Sequence, residues 1–188
     1  MDVQKAETYI IQQLGQLSRT LYYHGLHHTS DVVSAALMLA EMEGIKDEET
    51  LSLLQTAALY HDSGFLNTYK EHEAAGCIIA RSALPQFGYS DAQIETICGM
   101  IMATKIPQNP QTHLEQILCD ADLDYLGRPD FVPIAATLFK ELQARNLVTD
   151  LDSWNAVQVK FISAHHYWTK SALALRELAK QENLKTLL

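Results

Sequence analysis

Apolar side chains return at helical spacing along almost the whole chain, and no segment alternates as a strand would require. Val3, Ala6, Ile10, Leu14 and Leu17 make the first such stripe. A chain patterned this way must bury helical faces against one another, so the expected fold class is all-α, a helical bundle. Turn and breaker residues divide it into about seven to nine helices, expected over 3–18, 29–43, 47–62, 69–86, 90–104, 112–126, 130–146 and 151–186. The last is long enough to kink or split. Thr29 or Ser30 is a plausible N-cap for the second helix, and Gly44 its stop. Asp47, Glu48 and Glu49 suit the first turn of the third, where the helix dipole favours anions, and Ser63-Gly64 ends it. Ser90-Asp91 opens the fifth, and Gly127-Arg128-Pro129 breaks the sixth. No repeat, low-complexity tract or linker interrupts the 188 residues, which points to one domain over 1–188.

A formal net charge of −9 argues against binding a nucleic-acid polymer or a membrane surface, both of which need a basic face. It leaves room for a small anionic ligand, because a metal can supply positive charge locally. The opening residues, MDVQKAETYI, have neither the basic nor the apolar region of a secretory leader. No apolar run reaches the roughly 18 residues that span a bilayer. The expectation is a soluble cytoplasmic protein, with the long C-terminal helix free to pack against a second copy as a homodimer. Cys77, Cys98 and Cys119 lie in apolar helical stretches without close spacing, and are expected to be core residues.

Four residues stand out against this apolar pattern: His28, the pair His61-Asp62, and Asp122. The run LLQTAALY before His61 is apolar on every side, which marks a central helix. The run ILCDAD likewise delivers Asp120 and Asp122 from an apolar helix. A buried ionised carboxylate is costly unless it is paired or bound to a metal. Two imidazoles and two carboxylates suit manganese, iron, nickel, cobalt or zinc rather than calcium. Such a metal activates water and polarises a phosphate oxygen. The His-Asp dipeptide alone is a weak signal in a chain with eight histidines; its place at the end of an apolar helix, with partners on both sides, makes it informative.

In the segments YHGLHHTSDVV (23–33), ALYHDSGF (58–65) and ILCDADLDYLGR (117–128), the chain resembles the HD-domain superfamily of metal-dependent phosphohydrolases. The resemblance covers roughly residues 20–130 and implies an all-helical fold. It implies His28, His61, Asp62 and Asp122 as ligands of one divalent transition metal. His28 is preferred to His27 because it precedes the apolar helix position Val32 by four residues. Asp122 is preferred to Asp120 because the family's aspartate follows a small residue. Asp62 and His61 carry the catalysis in this reading, with Asp62 both ligand and base. The substrate implied is a small phosphorylated molecule, a phosphomonoester or phosphodiester such as a nucleotide.

The chain departs from the family pattern twice. Ser63, Gly64 and Phe65 follow the His-Asp pair where many phosphohydrolases of the family carry a cation. Dinuclear members add two histidines before the last aspartate, and only His72 is on offer, since Met102-Ala103-Thr104-Lys105 stand where the second belongs and His113 lies past a proline loop. One metal per chain is expected. A ligand sensor without turnover is the alternative, and a di-iron oxygenase a more distant one. His24, His72 and Lys105 are candidate substrate contacts. His165-His166 read as core or oligomer packing, and Trp154, Phe161 and Trp168, seven apart, as one helical stripe.

Overall fold

Side-chain caps set most of the helix starts in the computed structural model, which describes residues 1–188. Asp2, Asp47, Ser90, Thr112, Asp150 and Thr169 each accept a backbone N–H from the first turn they precede. Ser90 with Gln93, and Thr112 with Glu115, close reciprocal capping boxes. The helices are α1 (Val3–Leu14), α2 (Leu26–Met42), α3 (Glu48–Tyr60), α4 (His72–Ala83), α5 (Asp91–Ala103), α6 (His113–Asp122), α7 (Phe131–Ala144), α8 (Leu151–Ala164) and α9 (Lys170–Lys185). Short 3-10 turns at Ser63–Leu66, Leu84–Phe87 and Asp124–Gly127 follow α3, α4 and α6. The fold is all-α, with nine helices and no strand, as the apolar spacing implies. No helix is long and apolar enough to cross a membrane.

The first helix ends at Leu14 rather than 18, and the sixth at Asp122 rather than 126, where a 3-10 turn takes over and runs into Gly127-Arg128-Pro129. Two further boundaries differ from expectation for tertiary reasons. The second helix starts at Leu26, capped by Gly25 in extended conformation, and not at Thr29 or Ser30. Thr29 is instead buried inside the helix. The C-terminal stretch is two helices rather than one, because Asp120 accepts Trp168 N–H (2.8 Å), Thr169 N–H (2.8 Å) and the Thr169 hydroxyl (2.7 Å). The chain therefore runs without helix through His165–Trp168, and Trp168 does not continue the stripe of Trp154 and Phe161 on α8.

Alanines let the central helices approach closely. Ala35, Ala36 and Ala40 on α2 and Ala57 and Ala58 on α3 lie in a core of 28 buried residues built mainly from α1 to α6. Cys77 and Cys98 belong to it, and all three cysteines are buried and free, as expected. A second core of nine residues joins α7, α8 and the turn after α6. The ligand candidates emerge from the first core, while the second faces them from α7 and α8.

Gly64 shows how tightly the turn after α3 meets α4. A Cβ built there would stand 1.8 Å from the His72 carbonyl oxygen. The third helix ends at Tyr60, ahead of Ser63-Gly64, which opens the 3-10 turn, and backbone contact with α4 is what requires glycine there. Gly64→Ala is expected to lower unfolding free energy by about 2–3 kcal/mol, read from chemical denaturation. A change below the error of that measurement would show that the turn and α4 separate freely.

Candidate metal centre and adjoining cavity

α3 ends at Tyr60, and this brings His61 and Asp62 together. His61 is its C-cap and still helical (φ −55°, ψ −41°), whereas Asp62 has left the helix (φ −99°, ψ 5°). The two side chains thus escape the divergence of about 100° that neighbours on a continuous helix would show. His28 comes from the first turn of α2 and Asp122 from the last residue of α6. All four expected ligands converge. His28 Nε2 lies 3.1 Å from Asp122 Oδ1, 3.4 Å from His61 Nε2 and 3.5 Å from Asp62 Oδ2. His61 Nε2 lies 3.3 Å from Asp62 Oδ2 and 3.5 Å from Asp122 Oδ1. The donor atoms of His28, His61 and Asp122 fall within 4.8 Å of one another and could hold a metal ion.

The donor set fits a cation. His61 Nδ1 donates to the Ala58 carbonyl at 2.8 Å, since that oxygen can only accept, and so Nε2 is the nitrogen that, once deprotonated, turns its lone pair to the centre. Asp62 Oδ2 is buried and has no hydrogen-bond partner. Burial would depress the His61 imidazolium, but Asp62 and Asp122 outweigh it and hold its pKa well above the ordinary histidine value. Burial would raise the two carboxyls, but His61 facing Asp62, and His28 with His61 facing Asp122, hold them well below the usual range. Positive charge is what this cluster lacks.

Asp120, the other candidate for the last ligand, is occupied elsewhere. It is fully buried beneath the start of α9 and holds its three donors there. Burial pushes its carboxyl up to about 6 against the pull of those donors.

His24 and His72 both pack against Phe65 beside the centre, their own ring centroids 6.2 Å apart. The His72 ring stacks on Phe65 at 4.0 Å between centroids, and His24 packs on it at 4.4 Å. His72 Nε2 comes within 3.4 Å of Asp62 Oδ1. His24 Nδ1 is 2.5 Å from Glu141 Oε1. Glu141, on α7, is fully buried and also accepts Tyr23 N–H, His24 N–H and the Tyr69 hydroxyl. These bonds hold the loop ahead of α2, and by fixing residues 23 and 24 they set where that helix begins. Neither Glu141 nor Phe65 is marked in the sequence. Glu141 reads as one more solvated charge in FKELQAR, and Phe65 as the absence of a cation.

A cavity of about 430 Å³ opens beside the centre, with Asp62, Asp122, His24 and His72 in its lining. Lys105 is not in that lining, although its neighbours Thr104 and Ile106 are. Its ammonium pairs with Glu71 on the exposed surface, because the chain turns at the end of α5 and points the side chain away. His165 and His166 sit apart, beside a smaller cavity of about 160 Å³. Burial and Lys180 lower the His165 pKa to about 4, and Lys180 donates to its carbonyl at 2.7 Å.

The family model for the HD domain matches residues 25–124, more than half of the chain and inclusive of all four converging residues. The chain belongs to the HD-domain family. Two solved structures share the HD fold over nearly the whole chain. A protein from Lactobacillus plantarum aligns with TM-score 0.69 at 18% identity, over 98% of this chain and 93% of its own. A predicted HD superfamily hydrolase from an uncultured Thermotogales bacterium aligns with TM-score 0.56 at 18% identity, over 96% and 86%. No curated protein matches the chain.

Two experiments test this centre. Asp122→Ala is expected to abolish metal retention, measured by elemental mass spectrometry. Asp120→Ala is expected to keep the metal and lose about 1–3 kcal/mol of stability through its stranded donors; the reverse pattern would exchange their roles. The second is pH dependence. Protons compete with metal at His61 below its raised pKa, so apparent affinity is expected to climb by up to about tenfold per pH unit through and above the ordinary histidine range. Without metal the sign differs. The raised imidazolium loses its stabilisation as pH rises, and the lowered carboxylates lose theirs as pH falls, so the metal-free chain is expected to melt highest at about pH 4–6.5.

Proposed function

We propose that this HD domain is a metal-dependent phosphohydrolase that cleaves a small phosphate ester. One observation carries the reading: two imidazoles and two carboxylates, one with an unpartnered buried oxygen, converge at the edge of a cavity large enough for a small ligand. His28, His61, Asp62 and Asp122 would hold a single divalent transition metal. When bound, it would polarise a phosphate oxygen and acidify a water, the chemistry that phosphate hydrolysis needs.

The side chains account for the rest. Asp62 takes a proton from the attacking water as its oxygen bonds to phosphorus. His72, 3.4 Å from the other Asp62 oxygen, stabilises the carboxylate in that role. As the ester P–O bond breaks, the departing oxygen needs a proton. His24 supplies it from Nε2, the nitrogen that Glu141 leaves free. The buried rings of Phe65 and Tyr23 around these groups exclude water and strengthen each charge interaction. Residues 1–188 act as one domain in this reading, since the C-terminal helices α7 and α8 supply the cavity wall that the ligand-bearing helices lack.

The test is a phosphate-ester panel assayed with each of manganese, iron, nickel, cobalt and zinc. Asp62→Ala is expected to lower kcat/KM by about 10²–10⁴ while the circular dichroism spectrum stays unchanged. His24→Asn is expected to lower kcat more than it alters KM, and Lys105→Ala to change neither. Full activity in Asp62→Ala would overturn the assignment. Stoichiometric metal without turnover on any ester would favour a ligand sensor instead.

A further inference from the structure

We infer that the cavity takes a phosphomonoester bearing a single phosphoryl group on a bulky apolar substituent, an alkyl chain or aryl ring; this rests on the phosphohydrolase reading and narrows its substrate class. The lining falls into two halves. One is polar and carries the ligand candidates. The other is a continuous apolar wall from α7 and α8: Leu138, Leu142, Trp154, Val157, Phe161 and Ile162. Gln158 is the one polar side chain that α8 adds, and its amide already donates to Asn155 at 3.2 Å.

The charges point the same way. None of the 20 lining residues is lysine or arginine, and three are carboxylates: Asp62, Glu73 and Asp122. Every phosphoryl group beyond the first would face these anions with no lysine or arginine to meet it, a repulsive element against di- and triphosphates. A nucleobase would fare poorly as well, since recognition of its polar edge needs donors and acceptors that the apolar wall does not offer.

The volume has its own logic. About 430 Å³ lies within the range of small-molecule sites, and an apolar ligand filling it would take the wall's side chains out of water. Trp154 and Ile162 of the wall belong to the smaller core, and Leu138, Leu142 and Phe161 pack against it.

Two ligand series test the inference by binding alone. The first is methyl-, butyl-, hexyl- and phenylphosphonate titrated calorimetrically into the manganese-loaded chain. The second is 1-alkanols of the same lengths, followed by tryptophan fluorescence on the metal-free chain, which needs no metal. Affinity is expected to rise roughly threefold to fourfold per methylene in both series until the cavity is filled. Val157→Lys, at a half-exposed position, is expected to flatten both slopes without changing the melting temperature or metal stoichiometry. Flat slopes in the wild-type chain, or tighter binding of pyrophosphate or adenosine monophosphate than of butylphosphonate, would overturn the inference. The two readings fail separately. A chain-length slope without hydrolysis of any ester removes the phosphohydrolase and keeps the ligand class; hydrolysis without a slope does the opposite.

Discussion

Asp62 and Asp122 bring two carboxylates up against two imidazoles that are almost wholly buried, and an anion leaves water only where positive charge or hydrogen-bond donors face it. Much of the nearby architecture follows from this demand. α3 stops one residue before His61 so that consecutive side chains can share a centre. The turn after it rests on α4 through Gly64 and sets His72 beside Asp62. α6 ends at Asp122, so its carboxylate projects from the helix terminus into the same space. Helix ends, rather than helix faces, carry most of the ligands. At an end the backbone is free to aim two neighbouring residues at one point.

Two further buried carboxylates act as structural anchors. Asp120 gathers donors of Trp168 and Thr169 just ahead of α9 and interrupts what would otherwise be a helix of some three dozen residues. Glu141 gathers the loop ahead of α2 and orients His24. Each satisfies backbone N–H groups that would otherwise be stranded in the interior. The chain's acidic balance therefore has internal uses: some of its carboxylates serve as acceptors for loops and helix starts, and do not face solvent.

The cavity arises from the division of the core. α1 to α6 pack around alanines and branched aliphatics, and there the interior is filled. α7 and α8 contribute larger side chains, with Trp154 and Phe161 among them, which meet the rest of the molecule at the turn after α6 and leave space over the ligand cluster. Specificity on this fold thus depends on the helices that carry no ligand, while the chemistry depends on those that do. The HD model ends at residue 124, ahead of both wall helices, so membership of the family says little about what the cavity admits.

Local physics was legible along the chain. Capping boxes at Ser90 and Thr112, the acidic start at Asp47, and the apolar runs ending in His61-Asp62 and Asp122 each depend on residues within a few positions of one another. The helical class and the His61-Asp62 pair could therefore be read directly, whereas the choice of His28 over His27 and of Asp122 over Asp120 came from the resemblance to the HD family. What escaped was long-range. Glu141 acts on residues 117 and 118 positions away, and Asp120 breaks a helix 48 positions on. Phe65 matters only because His24 and His72 both pack against its ring. Lys105, a reasonable anion contact by position, turns outward to Glu71. Sequence by itself determined the helices and the ligand chemistry, since periodicity, caps and donor type are properties of short segments. Tertiary structure decided where α2 starts, where the C-terminal helix divides, and how an apolar wall comes to face a charged centre, because burial and pairing depend on which distant segments meet.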